Sequence, residues 1–183
     1  MGWNTHNGSK CIFVLHQTCG AKEGGQHRLI RGETMRNCRN CPDAVARIIG
    51  GVDAPQLSGC VEFYQENGCT LVVTRISDLP KESETGFFGF HIHQGRDCSG
   101  VGFPGTEGHY NPTGQGHPEH AGDLPPLIRC RGNAYLSFRT DRFSVNEIIG
   151  RTVVIHSDPD DFHTQPAGNA GKKIACGVIQ KNC

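Results

Sequence analysis

The stretch GFFGFHIHQ, residues 86–94, alternates bulky apolar side chains with histidines. Alternation with a period of two is the pattern of a β-strand, because successive side chains point to opposite faces. Phe88, Phe90 and Ile92 then share one face, fit for a core, while His91 and His93 share the other. Two imidazoles side by side on one strand face are a ready chelate for a metal ion. By themselves they read first as a pair of surface histidines on a half-exposed strand. The difference depends on whether other histidines join them.

Strands also surround this one. Upstream, AVARIIGG (44–51) reads as a first strand and SGCVEFYQ (58–65) as a second, with Val61 and Phe63 on one face. The turn ENG (66–68) leads into CTLVVTRI (69–76), which closes a hairpin with a short glycine-containing loop. Downstream, a glycine- and proline-rich stretch runs from Arg96 to Pro126 with almost no strand signal. Loops of that length inside a domain are usually functional. NAYLSFRT (133–140), GRTVVIHS (150–157) and IACGVIQ (174–180) are further strands, and PDDFHTQPAGNAGKK (159–173) is a second irregular loop. Apart from short turns around SVNEI (144–148), no amphipathic helix of ordinary length is visible. Many short strands punctuated by turns predict an all-β sandwich or barrel.

Residues 1–41 are of another kind. They hold Cys11, Cys19, Cys38 and Cys41, three histidines and several Gly-Gly or Gly-Ser breaks. They read as an N-terminal extension, loosely ordered or tied down by its own cysteines, ahead of a domain spanning 42–183. Met35 is also a candidate internal start. The Cys38-Arg-Asn-Cys41 motif, with Cys11 and Cys19, could hold copper(I) or zinc through thiolates. Its wide, irregular spacing is unlike a compact zinc site and favours a local disulfide or unrelated thiols.

Eighteen basic residues balance eighteen acidic ones, which gives no support to a nucleic-acid partner. No apolar run approaches the roughly 20 residues of a membrane span, and CIFVL (11–15) is too short for the core of a signal peptide. The expectation is a cytoplasmic protein, with secretion left open. Ten scattered cysteines in a chain of this length do not make a small disulfide scaffold.

Of ten histidines, seven lie between His91 and His163. GHYNP supplies His109, and HPEHAGD supplies His117, His120 and Asp123. Pro118 and Gly122 disfavour a helix there, so the segment reads as a loop folded around an ion. Three imidazoles and a carboxylate suit tetrahedral zinc. His156 ends the apolar strand of TVVIH. Nitrogen donors in this number fit copper and zinc far better than magnesium or calcium.

From about Ala44 to Ile179 the chain resembles the copper,zinc superoxide dismutases, through GFHIHQ, GHYNP, HAGDLP, IIGRTVVIH, DPDD and GNAGKKIACGVI. The resemblance implies a Greek-key β-sandwich or flattened eight-stranded barrel, with two long loops forming the metal site. It implies copper (Cu) held by His91, His93, His109 and His156, and zinc (Zn) held by His109, His117, His120 and Asp123. Asp160 would hydrogen-bond one ligand of each metal, His93 and His117, and Cys98 would pair with Cys176. The implied reaction converts superoxide to oxygen and hydrogen peroxide, with His109 bridging the metals and donating a proton. The family's anion-guiding arginine is here Lys173, which keeps the charge but loses the planar fork. The loop from Ser157 to Lys172 is also short and poor in the charges that steer anions elsewhere in the family. A homodimer and a separate copper chaperone as partner are consistent with this reading. Its rivals are a metallochaperone, favoured by the Met35–Cys41 stretch and Cys183, a zinc-buffering β domain, and a secreted recognition module.

Overall fold

The computed structural model describes residues 41–81, 83 and 85–182. The readings for the N-terminal extension, Met35, Cys11, Cys19, Cys38 and Cys183 lie outside the described residues, apart from the exposed bend at Cys41.

Strand β1 (Ala44–Gly50), β2 (Ser58–Glu66) and β3 (Cys69–Ser77) form an antiparallel meander. Glu66 pairs with Cys69, so Asn67 and Gly68 alone make the hairpin turn, with Gly68 at φ 79°. β4 (Phe87–Phe88) and β6 (Leu127–Ile128) pair with each other only. The remaining strands are β5 (Phe90–His93), β7 (Ala134–Thr140), β8 (Thr152–His156) and β9 (Lys173–Lys181). Together with the meander they make a curled seven-stranded sheet in the order β5-β8-β9-β1-β2-β3-β7. β3 and β5 are well separated in that order, so the chain crosses over between them, while β9 closes back against β1. The all-β expectation holds. The seven strands read from the sequence become nine short ones among the described residues, because 86–94 divides at Gly89 and the two-residue β6 is added.

The division has a local cause. Gly89 donates its N–H to the Asp158 carbonyl and accepts from the His156 N–H, both at 2.8 Å. A Cβ at this position would sit 2.8 Å from the Ala170 Cβ, so only glycine allows the loop after β8 to lie this close.

The core follows the alternation read from the sequence. Ala44, Ala46 and Ile48 of β1, Val61 and Phe63 of β2 and Val72 and Ile76 of β3 pack with Phe88, Phe90, Ile92, Ile155 and Ile179. The second face of β5 departs from expectation. His91 and His93 are as buried as the phenylalanines, because the long loop folds over them. That loop is pinned by Ile92 N–H to Gly122 O, Tyr110 N–H to Ile92 O and Gln94 N–H to Gly108 O. The predicted turn at SVNEI is a one-turn helix, α1 (Val145–Ile148), capped reciprocally by Ser144 and Glu147. Cys98 and Cys176 stand at disulfide geometry with Cα atoms 5.7 Å apart. No helix among the described residues is long and apolar enough to cross a membrane.

Candidate metal centre

β5 delivers His91 and His93, and the end of β8 delivers His156, two strands that pair directly. The long loop returns alongside β5 through isolated bridges, His93 with His109 and His91 with Asp123. Four imidazoles, of His91, His93, His109 and His156, thereby bring nitrogens within 4.8 Å of one another. A second group of His109, His117, His120 and Asp123 meets the same limit. His109 belongs to both.

In four of the rings a hydrogen bond at one nitrogen fixes which nitrogen remains for a ligand. His93 Nδ1 donates to the Glu107 carbonyl at 2.9 Å and His156 Nδ1 to the Gly171 carbonyl at 3.3 Å. Their Nε2 atoms are left facing each other at 3.2 Å. His91 Nε2 donates to Asp160 Oδ2 at 2.7 Å, and His117 Nε2 to Asp160 Oδ1 at 2.9 Å. One carboxylate therefore orients a ring in each cluster. The sequence expectation that Asp160 contacts His93 is corrected to His91. The nitrogen of His93 that would have reached a carboxylate is already spent on Glu107. Gly168, at φ 64°, makes room for this carboxylate. A Cβ there would approach Asp160 Oδ1 to 2.0 Å.

His91 Nδ1, His109 Nε2, His117 Nδ1 and His120 Nδ1 are buried and have no hydrogen-bond partner. His117 Nδ1 and His120 Nδ1 both lie near Asp123 Oδ2, at 3.1 and 3.3 Å. Asp123 Oδ1 lies 2.7 Å from His109 Nδ1. Orphaned buried nitrogens are costly unless something else satisfies them. Converging imidazole lone pairs, with one carboxylate in the second group, are the donor set for a soft-to-borderline cation in each cluster. Copper and zinc fit these residues.

The electrostatics keep the donors in ligating form. Burial holds His91 below the ordinary histidine range, His93 well below it, and His156 at about 3, with neighbouring histidines adding to the effect. Burial would raise Asp160, but hydrogen bonds from His91, the Phe162 N–H and His117 outweigh it and bring its carboxyl to about 2.

Lys173, the first residue of β9, lies opposite His156 in the β8–β9 register. Its ammonium donates to Thr106 Oγ1 at 2.7 Å and to the Glu107 carbonyl at 2.8 Å. Lys172 is exposed, its ammonium 3.8 Å from Asp53 Oδ1.

Sequence reasoning located every side chain in the two clusters. It missed the supports: the Glu107 and Gly171 carbonyls, Thr106, and Arg142. Arg142 Nη1 donates to the carbonyls of Pro118, His120 and Asp123 at 3.1, 3.2 and 3.3 Å. Backbone acceptors leave no trace in residue type. The glycines of GNAG, where a Cβ on Gly168 or Gly171 would strike Asp160 or Asp158, are the signal that could have pointed to a loop packed tightly against the site.

Comparison with known proteins agrees with this chemistry. Residues 57–179 match the family model described as copper/zinc superoxide dismutase (SODC). Superoxide dismutase [Cu-Zn] 2 of Aquifex aeolicus is 36% identical over 140 residues, covering 68% of this chain and 80% of the relative. Superoxide dismutase [Cu-Zn] 3 of Arabidopsis thaliana is 35% identical over 153 residues, covering 74% and 88%. The extracellular superoxide dismutase [Cu-Zn] of Rattus norvegicus is 31% identical over 167 residues, covering 85% and 66%.

Proposed function

The chain belongs to the copper/zinc superoxide dismutase family, and from that premise we propose which residues carry its reaction. The protein is an oxidoreductase that uses copper and zinc to disproportionate superoxide. Two superoxide anions and two protons give one oxygen and one hydrogen peroxide. In this reading His91 Nδ1, His93 Nε2, His109 Nε2 and His156 Nε2 would hold copper. His109 Nδ1, His117 Nδ1, His120 Nδ1 and Asp123 would hold zinc. Bound copper supplies the one-electron chemistry, and zinc, which has no redox chemistry, holds the shape.

The chain's own groups do the rest. The ring of His109 faces both clusters and holds or yields a proton at Nε2. Asp160 fixes the tautomers of His91 and His117 together, so the two sites share one orienting group. Lys173 draws the anion toward His156. With no net charge on the whole chain, attraction is local and rests on Lys172 and Lys173. A homodimer and copper delivery by a separate protein complete the proposal. Exposed Ile49, Val52 and Val101 supply apolar surface for the first.

The observation that carries the assignment is His109 standing in both clusters, each with buried nitrogens that lack a hydrogen-bond partner. A delivery or buffering protein without turnover has no need of that shared ring. His156→Ala tests the copper assignment. Elemental analysis and superoxide removal on one sample should show zinc kept, copper lost and activity abolished, whereas full activity would refute the role of His156.

A further inference from the structure

The loop that covers β5 contains a 3₁₀ turn, Pro104–Thr106. It lies directly on Gly95, the second residue after β5. Gly95 N–H donates to the Thr106 carbonyl at 2.9 Å, and a Cβ on Gly95 would fall 2.0 Å from the Gly105 carbonyl oxygen. Two non-glycine residues with positive φ, Phe103 at 53° and Glu107 at 58°, flank the turn. Backbone of this sort persists only where the surroundings enforce it, and it gathers at functional sites. The turn presents two acceptors side by side, Thr106 Oγ1 and the Glu107 carbonyl, and both receive the ammonium of Lys173.

The polarity of the Thr106 hydroxyl is settled by its neighbours. Thr106 is fully buried, and its single O–H donates to the Phe103 carbonyl at 2.8 Å. Its oxygen is thus turned as an acceptor toward Lys173. An ammonium has three N–H donors, where a guanidinium has five in a fixed plane. With two donated to the turn, one N–H of Lys173 remains for an anion. A flexible four-carbon stem that could otherwise sample many positions is held by two bonds.

We propose that Thr106 is a positioning residue for anion capture, its hydroxyl holding the Lys173 ammonium so that one N–H is presented to superoxide. This inference rests on the reading of Lys173 as the anion-guiding cation and names what makes a lysine serve there. The Glu107 carbonyl, which also accepts from His93 Nδ1, ties the same cation to the ring it works beside.

The test is a double-mutant cycle on metal-loaded full-length chain, with samples matched for copper and zinc content. Measured quantities are kcat/KM for superoxide at low ionic strength and the dissociation constant for azide, read from the copper absorption band. Lys173→Ala should lower kcat/KM about tenfold and Thr106→Val about threefold, with azide weakened in the same order. Thr106→Val made in the Lys173→Ala background should change neither quantity further, since the hydroxyl then has no cation to hold. Thr106→Ser, which keeps the hydroxyl, should match the parent. Thr106→Val at parental kcat/KM and azide affinity beside an impaired Lys173→Ala overturns the inference, and so does an impaired Thr106→Ser. If Lys173→Ala itself behaves as the parent, the reading of Lys173 is what fails, and the role of Thr106 falls with it.

Discussion

Buried imidazoles at His91, His93 and His156 set how this protein responds to acid. In the fold, burial keeps all three below the ordinary value near 6.5, with His156 at about 3. Unfolded, each returns to that ordinary value. Between about pH 6.5 and pH 3 the unfolded chain therefore binds more protons than the folded one, and stability falls as pH falls. Asp160 acts in the same direction at lower pH. Its folded value of about 2 lies below the ordinary 3.8, so its contribution is present above about pH 3.8 and lost toward pH 2. The metal-free protein should show a urea midpoint that is level between pH 8 and pH 7 and declines steadily from pH 6 to pH 4. A midpoint unchanged over pH 7 to 4 would mean that these rings are not held neutral by burial. The same residues show what can be read from spacing alone. His91 and His93 two apart become candidate donors only when His117, His120 and Asp123 in one short segment, with His109 and His156, are taken with them. Which ring Asp160 orients depends on a carbonyl at Glu107, and a carbonyl is common to every residue type.

Among the elements, strands were legible and loop paths were not. β1, β2, β3, β7, β8 and β9 follow alternation or continuous apolar runs, and α1 announces itself in Ser144 and Glu147. The break at Gly89 depends on Asp158 and Ala170, far along the chain, and β6 is two residues long, too short for any period. The segment from His117 to Asp123 has no regular backbone ladder of its own. Arg142, just past β7, gathers three of its carbonyls with one guanidinium nitrogen. Those carbonyls belong to Pro118 and to two proposed zinc ligands, His120 and Asp123. Arg142→Gln should leave the strand core intact and loosen this segment. Zinc transfer to a chelator should speed up by roughly tenfold, the lower end for outer supports of metal ligands, while copper is retained. Equal release of both metals would place the effect in the general fold instead.

At the scale of the molecule, a covalent tie among the described residues joins the loop over the site to the closing strand. Cys98 and Cys176 are separated by 78 residues, and Cys176 packs with Cys98, Phe103 and Val154 in a small apolar cluster of its own. The loop from Cys98 runs on to the 3₁₀ turn that carries Thr106, and β9 begins at Lys173. The two partners in the proposed anion grip thus lie on the two arms of the bridge. In the chain-entropy account, closing a loop of this length stabilises the fold by about 4–5 kcal/mol through the unfolded state. Cys98→Ala with Cys176→Ala should therefore lower the unfolding free energy of metal-loaded protein by about that amount, read from urea denaturation. The bridge has a second consequence if it also holds the arms in register. The variant, although still folded and fully loaded at 25 °C, should lose kcat/KM to the level of Thr106→Val and show the same weakened azide binding. A variant that is less stable yet captures azide as the parent does would confine the bridge to stability. The hydrogen bonds of Gly95 and Gln94 to the loop would then be enough to keep Thr106 facing Lys173.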